Sequence, residues 1–269
     1  MKQRRVVIQV LASLLVTVVF ITPTFAGQFC TEQPPPPAAL HKGLTLAFKT
    51  RAALEESGAQ VAVLGRIGAD LSAYRLRYSH AGFAWRDHPQ GRWLVVHELN
   101  QCATAQSRLF DEGLGNFFLD SPLAYEALLV IPSPTVQQKL VAVLASGVPD
   151  QLHEPDYSMI AYPWETRYQN SNQWLLETLA AALASDGEIS TRTHAQHWLK
   201  RHAFTPTRIH LPPLTRLGAR LLSANVQFDD HPLSDRLAGT YQVVTVEAVV
   251  DYLLQLDPQA RQQVVGLEQ

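Results

Sequence analysis

The stretch at residues 78–99 reads YSHAGFAWRDHPQGRWLVVHEL, and the fold prediction starts from it. Small or polar residues alternate with aromatic ones over residues 78–85, which is the period of a β-strand. Residues 87–91 have the composition of a hairpin turn, and the apolar run at residues 93–99 predicts a return strand. The sequence therefore predicts an antiparallel hairpin. One face of its first strand carries His80, Gly82 and Ala84.

Two histidines fall on the paired strands of this hairpin. A turn around residues 87–91 places His97 close to His80 across the sheet. A strand-borne imidazole can act as a base near neutral pH, and a second polar side chain can hold its ring, as the third member of a triad does. A histidine on a strand can equally be a hydrogen-bonded core residue, and this alternative stays open.

The rest of the chain mixes separate strands with amphipathic helices. Leucines repeat at helical spacing between residues 174 and 183. Further helices are predicted near residues 44–57, 135–144, 193–200 and 246–256, and strands near residues 60–64, 127–131, 158–162 and 241–245. This mixture predicts a single α+β domain over residues 44–269, an antiparallel sheet with packed helices and a C-terminal extension from about residue 190.

A loop becomes a helix at Asn170, Ser171, Asn172 and Gln173. A hydroxyl at such a place meets the positive end of the helix dipole and free backbone N–H groups, which could stabilise an oxyanion. Ser171 is therefore a candidate nucleophile, and its neighbours Asn170, Asn172 and Gln173 are candidate binding residues. The same residue types are preferred N-caps, and Asn170 with Gln173 fits a capping box, so a purely structural role stays open.

These segments together resemble the NlpC-type papain-like hydrolases. Residues 78–83, followed by Val95-Val96-His97, are similar to the hairpin that carries the base and its orienting residue in that family. In circularly permuted relatives the nucleophilic cysteine follows this hairpin at the start of a helix. Residues 170–174 resemble that motif, with serine in the cysteine position. The resemblance covers residues 60–185, and the whole chain also resembles an uncharacterised family of secreted bacterial proteins.

The resemblance implies a circularly permuted papain-like fold and a hydrolase or acyltransferase of amide or ester bonds. Ser171 would be the nucleophile, His80 the general base and His97 the orienting residue. Separately from the resemblance, Asn100 is a candidate binding residue because it lies close to His97 in the sequence. A hydroxyl has no useful anion at neutral pH, so the base must take its proton during the attack. The alternative is a catalytically inactive papain-like module that binds a peptide or a lipid in the envelope.

Residues 1–26 have the pattern of a secretory signal peptide. Three basic residues precede an apolar run at residues 6–21, and small residues near position 26 fit cleavage after Ala26. An uncleaved N-terminal anchor is the alternative. The pattern predicts a periplasmic or secreted protein with no stable membrane span after cleavage. Its partner would be an envelope small molecule, peptide or lipid, and a cell-wall peptide is the most natural substrate in that compartment.

The charge balance and the cysteine count exclude several classes of protein. The chain has 22 Lys and Arg against 24 Asp and Glu among its 269 residues. Nucleic-acid binding needs clustered cations, so this balance argues against a nucleic-acid-binding protein. Export would let Cys30 and Cys102 form a disulfide that ties a proline-rich arm, residues 27–43, to the domain. A single free catalytic thiol is the alternative. No cofactor and no metal site is predicted.

Overall fold

The computed structural model describes residues 34–102 and 104–267. Its strands are β1 (Val61–Ile67), β2 (His80–His88), β3 (Gly91–Asn100), β4 (Ser107–Gly113), β5 (Ala124–Ile131), β6 (Thr207–His210), β7 (Thr240–Val243) and β8 (Arg261–Gly266). Its helices are α1 (Pro37–Ser57), α2 (Leu114–Leu119), α3 (Pro134–Leu144), α4 (Val148–Gln151), α5 (Ser171–Leu183), α6 (Arg192–Arg201), α7 (Pro213–Leu222), α8 (Leu233–Ala238) and α9 (Val246–Leu256). None of these helices is long and apolar enough to cross a bilayer.

The centre of the fold is a six-stranded sheet in the order β4-β3-β2-β1-β5-β8. Every neighbouring pair in it is antiparallel. The predicted hairpin is formed by β2 and β3, which place Phe83 opposite Val96. Strands β6 and β7 form a separate two-stranded sheet. The predicted α+β class, an antiparallel sheet with packed helices, is therefore confirmed.

Helices cover both faces of the large sheet, and each face has its own apolar core. On one side, which we call the α5 face, Phe83 meets Trp174 with ring centroids 6.0 Å apart. On the other side, the α2 face, Ala84 packs in the same cluster as Phe117, beneath α1 and α2. Successive strand residues point to opposite faces. His80 therefore belongs with Ala84 on the α2 face.

The residues from about 190 onward, predicted as a C-terminal extension, contribute a strand to the large sheet and helices to its apolar core. Strand β8 pairs with β5 from Glu126 opposite Gly266 to Ile131 opposite Arg261. Helices α6 and α9 contribute to the core of the α5 face. The sequence pattern does not predict β8, because the first three residues of this strand are polar and exposed at the edge of the sheet.

Two further predictions differ from the structure. Helix α1 begins at Pro37, so the end of the predicted extended arm is helical, with proline at a position that suits the first turn. The strand predicted at residues 158–162 is absent from the described chain, where this segment makes turns and loop contacts.

The predicted signal peptide, residues 1–26, and Cys30 lie outside the described residues. Cleavage, export and the disulfide between Cys30 and Cys102 therefore stay predictions.

Candidate functional site

The structure brings His80 and His97 together on the α2 face. Nε2 of His80 lies 2.9 Å from Nδ1 of His97. Gly82 makes this approach possible, because a Cβ at position 82 would lie 2.8 Å from the Cβ of His97. Nε2 of the fully buried His97 lies 3.4 Å from Oε2 of Glu112 on β4. A chain of three polar side chains thus crosses β2, β3 and β4.

Arg66 extends this chain onto β1, where it is the register partner of His80. Its guanidinium pairs with Asp120 and lies 5.2 Å from the centroid of the Phe117 ring, which also covers both histidines. Burial keeps the pKa of His80 well below its usual range, and the charges of Arg66 and then His97 add to this effect. We call Arg66, His80, His97 and Glu112 the histidine row.

Ser171 does not join the histidine row. It is the first residue of α5, and the apolar residues of this helix pack on the α5 face, whereas His80 points to the α2 face. The sheet therefore separates the hydroxyl from the imidazole, and the predicted pairing of Ser171 with His80 does not form. The physical reason is strand alternation. His80 shares its face with Ala84, while α5 packs against the face of Phe83.

Asn170 caps α5, as the structural alternative for this residue predicts. Its Oδ1 accepts a hydrogen bond from the backbone N–H of Gln173 at 2.8 Å. Its Nδ2 donates to the carbonyl of Met159 at 3.3 Å. The side chain of Gln173 does not reach back to complete a capping box, because it donates to the carbonyl of Pro163 and to Glu177.

The other two candidate binding residues lie apart from the histidines. Nδ2 of Asn100 donates to the carbonyls of Thr104 and Gln106, both at 2.9 Å, so it closes a loop and does not contact His97. Oδ1 of Asn172 is buried and has no hydrogen-bond partner within the described residues. Neither side chain extends the histidine row.

A second polar constellation lies on the α5 face, at the start of β4. Oγ of Ser107 lies 3.0 Å from Nε2 of His153, and Ser107 is only 2% exposed. The backbone N–H of Ser107 donates to the carbonyl of Pro155 at 2.9 Å. Burial lowers the pKa of the half-buried His153, and the nearby charge of Asp150 opposes this effect. A neutral imidazole can accept the hydroxyl proton of Ser107.

Glu98 belongs to the same constellation. It follows His97 on β3 and therefore points to the opposite face. Its side chain is fully buried, and neither carboxyl oxygen accepts a hydrogen bond from the described residues. Burial raises the pKa of Glu98 to about 8, although the nearby Ser107 hydroxyl and Arg192 oppose this rise. Glu98 is therefore mostly protonated at neutral pH.

Tyr157 connects Glu98 to the start of α5. Burial raises the pKa of the Tyr157 phenol above its usual range, and the charge of Glu98 adds to this rise. The nearby hydroxyl and backbone N–H of Ser171 oppose this rise. Ser171 therefore lies in this constellation. We call Glu98, Ser107, His153, Tyr157 and Ser171 the glutamate cluster.

A buried ion pair anchors the helices next to the glutamate cluster. Nε of Arg192 on α6 lies 2.8 Å from Oε2 of Glu177 on α5, and both side chains are almost completely buried. Three glutamine side chains also donate to Glu177, from Gln169, Gln173 and Gln196. The ion pair is fully hydrogen-bonded, in contrast to Glu98.

Sequence reasoning missed Ser107, His153 and Glu98 as site residues. Ser107 and His153 are 46 residues apart, and neither lies in a patterned motif, so only tertiary structure joins them. Glu98 did carry a signal, because a carboxyl group inside the apolar run at residues 93–99 is unusual. Within residues 34–102 and 104–267, no three His, Cys, Asp or Glu side chains converge as metal ligands.

The fold and the two constellations define an α+β protein with polar side chains buried on each face of an antiparallel sheet. The chain belongs to a family described as an uncharacterised protein conserved in bacteria (DUF2145), whose family model matches residues 53–253. This range includes the histidine row and the glutamate cluster. No curated protein and no solved structure matches the chain. The expected membership of an uncharacterised bacterial family is confirmed.

Proposed function

We propose that this protein is a hydrolase or acyltransferase of amide or ester bonds, with Ser107 as nucleophile and His153 as general base. The observation that carries the proposal is the 3.0 Å hydrogen bond between Oγ of Ser107 and Nε2 of His153. A serine nucleophile needs this geometry, because its hydroxyl must lose a proton as it attacks. The proposal keeps the predicted reaction class and assigns it to a different serine and histidine.

The reaction proceeds through an acyl-serine. Oγ of Ser107 attacks the substrate carbonyl carbon, and its proton passes to Nε2 of His153. The tetrahedral intermediate collapses, the C–N or C–O bond breaks, and the leaving amine or alcohol takes the proton from His153. Water then attacks the acyl carbon and passes a proton to His153, the C–O bond to Oγ of Ser107 breaks, and His153 returns the proton to Oγ, which releases the carboxylic acid. A second amine or alcohol in place of water gives acyl transfer.

Asp150 and Glu98 supply the electrostatics of this reaction. The charge of Asp150 raises the pKa of His153 against the effect of burial, and so favours the imidazolium that forms during attack. Glu98, protonated up to a pKa of about 8, is a hydrogen-bond donor close to Ser107. A carboxylic acid kept neutral in an apolar site can donate to a developing oxyanion.

Access to Ser107 requires residues 153–157 to move. Oγ of Ser107 lies 3.3 Å from the carbonyl oxygen of Glu154, and the backbone N–H of Tyr157 donates to the carbonyl of Ala105 at 2.8 Å. These contacts cover the hydroxyl in the closed protein. Opening and closing of such a segment is a common step before the chemistry of an enzyme, because closure excludes water from the site.

The location, the substrate and the finer fold are parts of the same proposal. The pattern of residues 1–26 supports a periplasmic or secreted protein that acts on an envelope peptide, lipid or small molecule, with a cell-wall peptide as the first substrate to test. A hairpin that precedes a helix packed on an antiparallel sheet supports a permuted papain-like fold. The sheet between Ser171 and His80 argues against a papain-type pair at these two residues.

The test is turnover of a chromogenic ester and of a cell-wall peptide by the purified protein and its variants. Ser107→Ala and His153→Gln should each lower kcat by a factor of about a thousand or more. The matched control is His80→Gln, because His80 lies on the other face of the sheet, and it should keep most of the activity. Loss of activity in His80→Gln and Ser171→Ala but not in Ser107→Ala would overturn the assignment. Absence of turnover by the wild-type protein would favour the inactive binding module.

A further inference from the structure

Residues 154–157, which we call the strap, pair with the start of β4 in the manner of an additional strand. The pairing is antiparallel. The backbone N–H of Ser107 donates to the carbonyl of Pro155 at 2.9 Å, and the backbone N–H of Tyr157 donates to the carbonyl of Ala105 at 2.8 Å. Two such bonds are the repeating unit of an antiparallel ladder. The outer edge of β4 therefore already holds one extended main chain.

The strap passes directly over the proposed nucleophile. Oγ of Ser107 lies 3.3 Å from the carbonyl oxygen of Glu154 and 3.5 Å from the carbonyl oxygen of Pro155. Nε2 of Gln106 donates to Oδ1 of Asp156 at 2.6 Å, which holds the strap in this position. An extended main chain in the place of the strap thus brings its carbonyl groups to the Ser107 hydroxyl.

The outer edge of β4 continues beyond the strap. This strand is the first in the order of the large sheet, and its pairing partner among the described residues is β3. The backbone N–H of Gln101 donates to the carbonyl of Gln106, so Gln106 faces β3 and Ser107 faces outward. Because this direction alternates along an antiparallel strand, the main-chain groups of Leu109 and Asp111 also face outward. No hydrogen bond from the described residues reaches them on this side.

We propose that the substrate is an extended peptide that adds to the outer edge of β4 as an antiparallel strand. The peptide takes the place of the strap at Ser107 after this segment opens. Its residues on the N-terminal side of the cleaved bond then pair with Leu109 and Asp111. Main-chain hydrogen bonds of this kind give affinity for extended peptides, and a lipid or a simple ester cannot form them. The inference rests on the proposed function, because Ser107 is the nucleophile toward which the peptide is directed.

The first experiment measures cleavage of acetylated alanine p-nitroanilides that contain one to four alanines. The value of kcat/KM should rise by about tenfold or more from the shortest to the longest, because the longer peptides gain main-chain bonds to Leu109 and Asp111. The ester p-nitrophenyl acetate has no peptide main chain, so its Ser107-dependent hydrolysis tests the proposed function alone. A constant kcat/KM over the series, or cleavage of the ester alone, would overturn the peptide inference and leave the nucleophile assigned.

N-methylation of the peptide provides a control that leaves the protein unchanged. Only every second residue of an added strand directs its N–H toward β4. Replacing one alanine of the longest substrate by N-methylalanine should therefore raise KM by about fivefold or more at alternate positions, and by much less at the positions between them. Equal effects at all four positions would contradict pairing with the edge of β4.

A protein variant tests the same edge from the other side. Leu109→Pro removes an outward N–H that makes no bond to β3, which an edge strand tolerates, and it should abolish the rise of kcat/KM with peptide length. Leu109→Ala is the matched control, because it shortens the same side chain and keeps the N–H, and it should retain the rise. Loss of the rise in both variants would contradict a role of the main chain.

Amide hydrogen exchange tests binding without catalysis, in full-length Ser107→Ala. Acetyl-tetraalanine amide should slow exchange at Leu109 and Asp111 by about threefold or more. Exchange in β8, the opposite edge of the sheet, should not change. Unchanged exchange at Leu109 and Asp111 would exclude this edge as the peptide site. Protection that grows with protein concentration in the absence of peptide would assign the edge to a second copy of the chain.

Discussion

His97 and Glu98 are consecutive residues of β3, yet they enter different environments. His97 bonds His80, and its Nε2 lies 3.4 Å from Oε2 of Glu112. Glu98 is equally buried, but its two carboxyl oxygens accept no hydrogen bond from the described residues. Buried polar groups in proteins are nearly always satisfied, and an exception needs an explanation. The comparison shows that His97 keeps one hydrogen bond, from Nδ1 to His80, while its Nε2 has no hydrogen-bond partner among the described residues, whereas neither carboxyl oxygen of Glu98 has a partner there.

The largest effect on stability should come from the ion pair that anchors the α5 face. Glu177→Ala leaves Arg192 buried without its charged partner, and such a change costs about 3–5 kcal/mol of unfolding free energy. Urea denaturation measures this loss. The control is Glu188→Ala, which breaks the exposed pair of Glu188 with Arg201 and should have little effect. Equal losses in the two variants would mean that the α5 face is not held by this pair.

The next effect is the pH dependence of the unfolding free energy, which should differ between the α5 face and the α2 face. The folded protein holds the proton of Glu98 up to a pKa of about 8, whereas the unfolded chain releases it near the ordinary value of 4.5. The unfolding free energy contributed by Glu98 is therefore present at low pH and lost as the pH rises between these values. The variant Glu98→Gln cannot lose a proton at this position, so its unfolding free energy does not show this decrease as the pH rises. Its unfolding free energy relative to wild type should rise by about 3 kcal/mol between pH 5 and pH 8. Parallel pH profiles would contradict the assignment.

The histidine row should respond to pH in the opposite direction. Burial holds the pKa of His80 well below its usual 6.5, so only the unfolded chain gains this proton as the pH falls through 6.5. The contribution of His80 to stability is thus present above this pH and lost below it. At pH 7, His80→Gln should cost about 1 kcal/mol for the lost bond to His97. This cost should shrink or reverse near pH 5, and a constant cost would contradict the account.

The smallest effect concerns the cap of α5. Asn170→Ala removes the acceptor of the Gln173 N–H and should cost about 1 kcal/mol. Asn172→Ala is the matched control, since the buried Oδ1 of Asn172 accepts no hydrogen bond from the described residues. Thermal unfolding compares the two variants. A larger loss for Asn172→Ala would show that the cap lies elsewhere.

The hairpin, the α+β class and the cap at Asn170 could be predicted, because each depends on local pattern. Strand alternation identifies which residues share a side, and a preferred cap residue before an apolar helical pattern marks a helix start. The contact of His80 with His97 follows from the same hairpin. The choice of side for α5 could not be predicted, since both sides of β2 are apolar around Phe83 and Ala84.

The pairing of Ser107 with His153 also could not be predicted from the sequence. It depends on how residues 153–157 cross the start of β4, and no local pattern encodes that crossing. Strand β8 was not predicted for a different reason. A polar edge strand lacks the alternation of apolar residues by which a strand is recognised in a sequence. Local order was therefore predictable, while contacts between distant segments were not.

The most direct test of the central claim is the position of a covalent adduct. A fluorophosphonate loses fluoride when an activated serine attacks its phosphorus, and mass spectrometry of peptides locates the modified residue. The account predicts an adduct on Ser107 that disappears in His153→Gln and persists in His80→Gln. An adduct on Ser171 that depends on His80, or a wild-type protein that takes no adduct, would contradict it.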